Sequence, residues 1–379
     1  MTVIRVAVPV ESVRDYEIQV DPGGLDRLGD TCTAAPAHRY AVIADSRVAA
    51  LYGRRAVKAL DNAGLDADLF SFPAGEWNKS AERWAGLCAE LMGEGFGRDS
   101  AVVALGGGVT GDLAGFVAST YMRGVPVIQV PTTLLSMVDS SVGGKTGIDA
   151  GPVKNALGTF HHPAAVLIDP ELLETLPRYQ RISGIAEAVK AAAIRDAEFL
   201  TWIEDQATAL RDGEVDATAC LIERSVRIKA RVVAEDPEER GLRAVLNFGH
   251  TFGHALESLT GFAVLHGEAV AAGMRMAARL GESVGVTAAG VGEKLDHVLA
   301  QCGLPEVLEP PFDLDGLLER AGPDKKSRDG NLRWVLLAEL GKVAAGEDGG
   351  FTHAIPAAAC RGPLEAALRN AFEAADSSP

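Results

Sequence analysis

Ser100-Ala-Val-Val-Ala-Leu105-Gly106-Gly-Gly108-Val-Thr-Gly111-Asp112 decides how the first half of this chain folds. A short uninterrupted apolar run closed by glycines reads as a fully buried strand. The glycines then open a helix that continues through Tyr121. They satisfy the pattern G-x-G-x-x-G, which lets backbone N–H groups approach a pyrophosphate at a helix N-terminus. Alone that pattern is weak. The acid expected about 20 residues on to bind a ribose is missing, since that region reads Gln129-Val-Pro-Thr-Thr133. A nicotinamide cofactor would therefore be held differently from the ordinary arrangement, with Asp45 and Gly75-Glu76-Trp-Asn-Lys79 as candidates for its ribose and adenine end.

Outward from this unit, strand and helix patterns alternate. Residues 40–45 read as a buried strand and 47–63 as a helix. Residues 69–72 read as a strand, 80–93 as a helix capped by Ser80, and 125–130 as the next strand. Such alternation with short turns predicts a parallel sheet covered on both faces. From about Arg181 long amphipathic segments take over, at 183–195, 198–209, 216–236, 244–260, 267–284 and 288–301. A late strand is expected at 332–337 and a frayed tail at 374–379. The fold class is thus α/β: a Rossmann-like parallel-sheet domain over residues 1–180, then a mainly α-helical domain over 181–379, with a cleft between them.

The chain has 379 residues, of which 47% are hydrophobic, ordinary for a globular protein with two domains. A net charge of −16 argues against a nucleic-acid binder, while a local cluster of Lys and Arg could still hold a small anion. The five cysteines are scattered without a Cys-x-x-Cys pair, which suits a reducing cytosol. Neither a secretory leader nor a membrane-length apolar run is evident, so a cytoplasmic location is expected.

The second informative stretch is Arg243-Ala-Val-Leu-Asn247-Phe-Gly-His250-Thr-Phe-Gly-His254, followed by His266-Gly-Glu268. It holds three of the chain's eight His. His250 and His254 share a helical face, and neutral imidazole is the commonest protein ligand for zinc. Catalytic zinc usually has three protein ligands, so His250 and His266 could supply two and a carboxylate from elsewhere the third. A lone His pair more often packs or caps. The spacing is also not that of His-Glu-x-x-His metalloproteases, because Thr251 stands where the Glu would be.

Its company argues for chemistry. Asp139-Ser-Ser-Val-Gly-Gly-Lys145-Thr146 resembles a P-loop only in its last letters, but a Gly-Gly-Lys loop can hold a phosphate or carboxylate. Lys154-Asn155 adds a second basic anchor. Glu187 and Lys190 lie three apart in an Ala- and Ile-rich segment where charges need partners or a metal. Lys229 and Glu239 flank the run to Arg243. Asp324-Lys325-Lys326, taken alone, reads as a solvated loop.

Together Gly-Gly-Gly-Val-Thr-Gly-Asp, Gln-Val-Pro-Thr-Thr-Leu-Leu, Val-Asp-Ser-Ser-Val-Gly-Gly-Lys-Thr, Ala-Glu-Ala-Val-Lys and Leu-Asn-Phe-Gly-His-Thr-Phe-Gly-His resemble the 3-dehydroquinate synthases, members of the sugar phosphate cyclases. The resemblance runs from about residue 40 to 340, in the family's order. It implies a divalent metal, zinc or cobalt, on Glu187, His250 and His266. It implies NAD held by Asp45, Glu76, Lys79, Gly108, Val109, Thr110, Gly111, Asp112, Thr132, Thr133, Asp139, Lys145, Lys154 and Thr175. Substrate phosphate and carboxylate contacts would fall to Arg123, Lys145, Asn155, Lys190, Lys229, Arg243, Asn247 and Lys326 of the 324–326 loop. His254 and Glu239 match positions acting in proton transfer and metal-water ordering. The implied reaction turns 3-deoxy-D-arabino-heptulosonate 7-phosphate, an anionic sugar phosphate, into 3-dehydroquinate by transient NAD oxidation, β-elimination, re-reduction and aldol closure. That chemistry belongs to aromatic amino acid biosynthesis. Members are commonly dimeric, which implies a homodimer.

Two departures stand out. Asp149 replaces an expected Asn and Val153 an expected Gly, with Gly151-Pro152 as a replacement turn. An amino-dehydroquinate synthase or another cyclase is the nearest rival. Sedoheptulose 7-phosphate cyclases typically alter the positions of Arg243, Asn247 and His254, all of which keep the dehydroquinate-synthase type here. A metal-dependent polyol dehydrogenase, which would release NADH, is a more distant one.

Overall fold

The computed structural model describes residues 15–151, 153–261, 263–305, 314–321, 331–346, 349–362 and 365. The expected tail at 374–379 and the Asp324-Lys325-Lys326 loop lie outside these residues. The first half contributes β1 (Glu17–Val20), α1 (Leu28–Cys32), β2 (Arg39–Asp45), α2 (Ser46–Val48), α3 (Arg54–Asn62), β3 (Ala67–Phe72), α4 (Ala81–Gly93), β4 (Ser100–Gly106), α5 (Gly108–Thr120), β5 (Val127–Pro131), β6 (Lys145–Ala150), β7 (Val153–Phe160) and β8 (Ala165–Ile168). Six of these strands form one parallel sheet in the order β1-β8-β5-β4-β2-β3.

β4 sits inside that sheet with every residue buried, which is why its sequence shows an apolar run and no alternation. Its side chains still divide by the strand's period of two. Val102 and Ala104 join α4 and α5 in one core, while Ala101, Val103 and Leu105 join a second core shared with the helical half. The expected helix at 47–63 is one helical passage, α2 and α3 joined by a π turn at Ala49–Gly53. Ser80 caps α4 by accepting the Arg83 N–H.

The second half is mostly helical: α6 (Arg178–Arg195), α7 (Ala197–Asp205), α8 (Ala207–Asp212), α9 (Val215–Glu235), α10 (His250–Leu259), α11 (His266–Ser283), α12 (Val291–Gln301) and α13 (Leu314–Ala321). Three expectations need correction. The helix expected at 198–209 is two, α7 and α8, parted at Gln206. The single helix expected at 244–260 is broken, because Leu242–Asn247 is a 3-10 turn and Gly249 adopts φ 81° before α10 starts. A side chain is strained there, and a Cβ would also lie 2.7 Å from Met274 of α11. The strand expected at 332–337 is two: β9 (Asn331–Trp334) pairs with β12 (His353–Pro356), and β10 (Leu337–Glu339) with β11 (Lys342–Val343).

One close approach positions the site. A Cβ on Gly267, the second residue of α11, would lie 1.8 Å from the carbonyl oxygen of Ser183 in α6. Without it, the Gly267 N–H donates to Ser183 Oγ at 3.0 Å and the two helices touch backbone to backbone.

Candidate active site

Helix α6 is buried without a break from Ser183 to Ile194, so Glu187 and Lys190 lie in the interior. Such charges are tolerable only with partners. His250 and His266 each open a helix and point their Nε2 atoms at one oxygen of Glu187. The separations from Oε1 are 3.5 Å to His250 and 3.4 Å to His266. Ligands about 2.0–2.1 Å from a tetrahedral zinc stand about 3.3–3.4 Å apart, so the spacing fits. Neither Glu187 oxygen has a well-formed hydrogen bond, Lys190 Nζ being an ion-pair partner at 2.6 Å from Oε2. The donor set therefore has the chemistry and spacing of a divalent-metal site, and it is the one such cluster found among the described residues.

The electrostatics favour that role. Burial raises Glu187, but Lys190, His250 and His266 overcome it and hold the carboxyl well below the usual range. Burial pushes His250 down to about 3 against the pull of Glu187, leaving a neutral ring. Its Nδ1 lies 3.2 Å from the Phe248 carbonyl, so an N–H there leaves a lone pair on Nε2. Burial opposes charge on His266 too, but its contacts with Glu187 and Glu257 carry it up to about 10. A metal would replace that proton.

Around this trio the cations are paired. Asp139 Oδ1 lies 2.8 Å from Lys229 Nζ and 3.6 Å from Lys190 Nζ. Burial raises Asp139, and the two lysines reverse this and drive it far down. Lys229 is pushed down to about 8, with burial outweighing Asp139. Lys145 pairs with Glu239, whose other oxygen accepts from Asn247 at 3.1 Å. Buried Arg243 donates to the carbonyls of Pro237 (2.6 Å) and Gly143 (2.9 Å), while the Gly143 N–H donates to the Tyr16 hydroxyl. These contacts tie the Gly143-Gly144-Lys145 loop to the helical half. His254 is exposed, its ring centroid 5.3 Å from that of His250 and 6.3 Å from that of His266.

At the carboxyl end of the sheet, α5 begins at Gly108 with Gly107 as its cap, so Gly108, Val109, Thr110, Gly111 and Asp112 form its first turns. Asp45 caps α2 and accepts from Thr110 Oγ1 at 3.4 Å. Thr132 bonds the Gly106 carbonyl, and Thr133 packs where a Cβ on Gly107 would fall. Lys79 pairs with Asp112 at 2.5 Å and donates to Asn155. Lys154 reaches Glu76 at 3.5 Å, and Thr175 bonds the Tyr52 hydroxyl at 2.7 Å. Asp149 accepts the backbone N–H of Asn155 at 2.8 Å, which holds Asn155 at φ 52°. Gly151, at φ 58°, stands at the turn between β6 and β7.

Two expected substrate residues are not in this cluster. Lys326 lies outside the described residues. Arg123 is exposed beyond the far end of α5, roughly 20 Å from Gly108 at 1.5 Å per helical residue. One residue was missed: Glu257, with its side chain buried, contacts Lys154 at 3.1 Å and His266 Nδ1 at 3.3 Å. Its spacing was readable, since 250, 254 and 257 share one helical face.

Comparison with known proteins places this geometry. Two family models match in tandem, 3-dehydroquinate synthase N-terminal over residues 69–183 and 3-dehydroquinate synthase C-terminal over residues 184–327. A 3-dehydroquinate synthase of Symbiobacterium thermophilum is 45% identical over 339 residues, covering 88% of this chain and 94% of its own. A 3-dehydroquinate synthase of Caulobacter vibrioides is 43% identical over 343 residues, covering 88% and 93%. Among solved structures, a 2-epi-5-epi-valiolone synthase from Streptomyces hygroscopicus subsp. jinggangensis, with NAD+ and Zn2+ bound, superposes with a TM-score of 0.85 at 30% identity over 98% of this chain and 99% of that one.

Proposed function

This chain belongs to the 3-dehydroquinate synthase family, and on that premise we propose how its residues divide the conversion of 3-deoxy-D-arabino-heptulosonate 7-phosphate to 3-dehydroquinate and phosphate. The observation that carries the reading is the convergence of Glu187, His250 and His266 beside Lys190, Lys229 and Asp139. A dehydrogenase that releases NADH needs a metal and a cofactor. It has no need of so many cations beside them.

Zinc or cobalt would be held by Glu187, His250 and His266. NAD would lie over the N-terminus of α5, with its pyrophosphate against residues 108–112 and its adenosine end near Asp45, Glu76, Lys79 and Lys154. Thr132, Thr133, Asp139, Lys145 and Thr175 would complete the cradle. When bound, NAD supplies a reversible two-electron acceptor for a secondary alcohol and the metal supplies Lewis acidity beside it.

The protein's own groups do the rest. Lys145, Lys190, Lys229, Asn155 and Lys326 hold the phosphate and stabilise it as it departs with the C–O electron pair. Arg243 and Asn247 orient the carboxylate, the former because a guanidinium matches it bidentately. His254, exposed beside His250 and His266, gives and takes protons, and Glu239 orders water beside Lys145 and Asn247. Retention of Arg243, Asn247 and His254 favours a carboxylated substrate over sedoheptulose 7-phosphate.

Several broader features belong to the same reading. The domains divide at 180/181, and the protein is a cytoplasmic homodimer that binds no nucleic acid. No helix among the described residues is long and apolar enough to cross a membrane. The edge of β7 carries exposed Val153, Leu157 and Phe160, and an antiparallel edge paired with its own copy closes by two-fold symmetry. Light scattering tests that assembly.

The deciding assay mixes protein, NAD, zinc or cobalt and the heptulosonate phosphate, following phosphate release and dehydroquinate through added dehydroquinase. Equal yields of both, abolished by chelator, are expected. NADH accumulating without phosphate would overturn the reading.

A further inference from the structure

Both imidazoles aimed at Glu187 stand at the first residue of a helix, where the preceding backbone restrains them least. Each therefore needs its Nδ1 anchored from outside. His250 has the Phe248 carbonyl at 3.2 Å. For His266 the group at that position is the carboxylate of Glu257, with Oε2 at 3.3 Å. The other oxygen, Oε1, is engaged by Lys154 Nζ at 3.1 Å.

We propose that Glu257 is a positioning residue that fixes the ring orientation and tautomer of His266. An N–H on Nδ1 directed at Glu257 leaves the lone pair of Nε2 facing Glu187, as a metal ligand requires. Helix geometry makes this possible. Glu257 lies two turns along α10 from His250, on the same face, and so reaches across the 260–265 connection to the start of α11. A buried carboxylate with both oxygens committed turns little, and Lys154 holds it from the sheet side. The bland account, an ion pair that merely satisfies Lys154, leaves the direction of Oε2 unexplained. Lys154 also has Glu76 at 3.5 Å, so it does not depend on Glu257 for a counter-charge.

This inference rests on the metal reading of the Glu187 site, and the test separates the two. Chelator-stripped full-length protein is titrated with zinc alone against a chromophoric chelator, as wild type, E257Q, E257A and H250A. E257Q keeps an acceptor for Nδ1–H and loses the charge, and about 10-fold weaker zinc binding is expected; E257A loses both, and about 100-fold is expected. The cobalt-loaded E257A spectrum should also change, because ligand geometry changes with the ring. Circular dichroism of the stripped proteins checks that the variants are folded. Should E257A not fold, E257Q decides alone. Zinc affinity of a folded E257 variant within twofold of wild type overturns the positioning role. H250A that still binds zinc at that site overturns the metal reading itself.

Discussion

The proposed cofactor edge and the proposed metal corner of this site are made of different things. At the edge, backbone does the work: the glycines between β4 and α5, the free N–H groups of the first turn of α5, and the Thr132 N–H on the Gly106 carbonyl. At the corner, side chains do it, and those of Glu187 and Lys190 are nearly inaccessible to solvent. A backbone site is spoiled by adding atoms and a side-chain site by removing them. The two should therefore fail differently, and separate measurements of NAD and metal binding can tell them apart.

The largest break is expected at the corner. His250→Ala removes one of the proposed ligand atoms and leaves Glu187 with His266 as its one remaining imidazole neighbour. Zinc affinity should fall by more than the roughly 10–100-fold that loss of an outer-shell partner costs, and turnover with it. Isothermal titration with NAD should change little, and a large loss there would mean the two regions are not separable.

Gly106→Ala is the converse experiment. A Cβ there would lie 2.4 Å from Thr110 Oγ1, and overpacking of this kind costs about 1–3 kcal/mol. NAD affinity should drop by about one order of magnitude while zinc affinity holds. Equal losses in both would contradict the distinction.

Lys229 sharpens the comparison through pH. Burial outweighs Asp139 and brings it down to about 8. A lowered lysine keeps its charge below that pH and loses it above. A kcat/KM profile should therefore fall on the alkaline side from near pH 8, by about tenfold per unit. In Lys229→Arg the guanidinium stays charged and that limb should move to higher pH. An unmoved limb would assign it to another group.

The smallest effect is expected at Asp149, at the hairpin between β6 and β7. Asp149→Asn keeps an acceptor for the Asn155 N–H and should alter KM less than about twofold. Asp149→Ala loses it, and about 1 kcal/mol, roughly fivefold in KM, is expected.

The same contrast governs what could be read from sequence. The cofactor edge is local: one strand, one glycine run and one helix start are contiguous, so the parallel sheet was legible from residues 100–112. The corner draws on α6, α10 and α11, and only the resemblance joined Glu187 to the two histidines. β6 and β7 escaped because β7 is exposed along nearly all its length, which erases any apolar period. β1 and β8, at four residues each, are too short to show one. The break at Gly249 is not visible within the expected 244–260 helix, because the residue that crowds it, Met274, comes from another helix. Glu257 was passed over although its spacing from His250 was visible. The role proposed for it depends on His266, which no periodicity connects to it.

The contact between Gly267 and Ser183 has one more consequence. Gly267 is the residue directly after His266, and Ser183 precedes Glu187 by one helical turn, so the 3.4 Å between the two proposed ligand atoms is inherited from how near two backbones can lie. Ion selection at the proposed site would therefore be partly a matter of wall thickness. A methyl group at 267 would push the helices apart and enlarge the opening for a bulkier ion with every ligand intact, so retuning the metal could begin at a residue that never touches it.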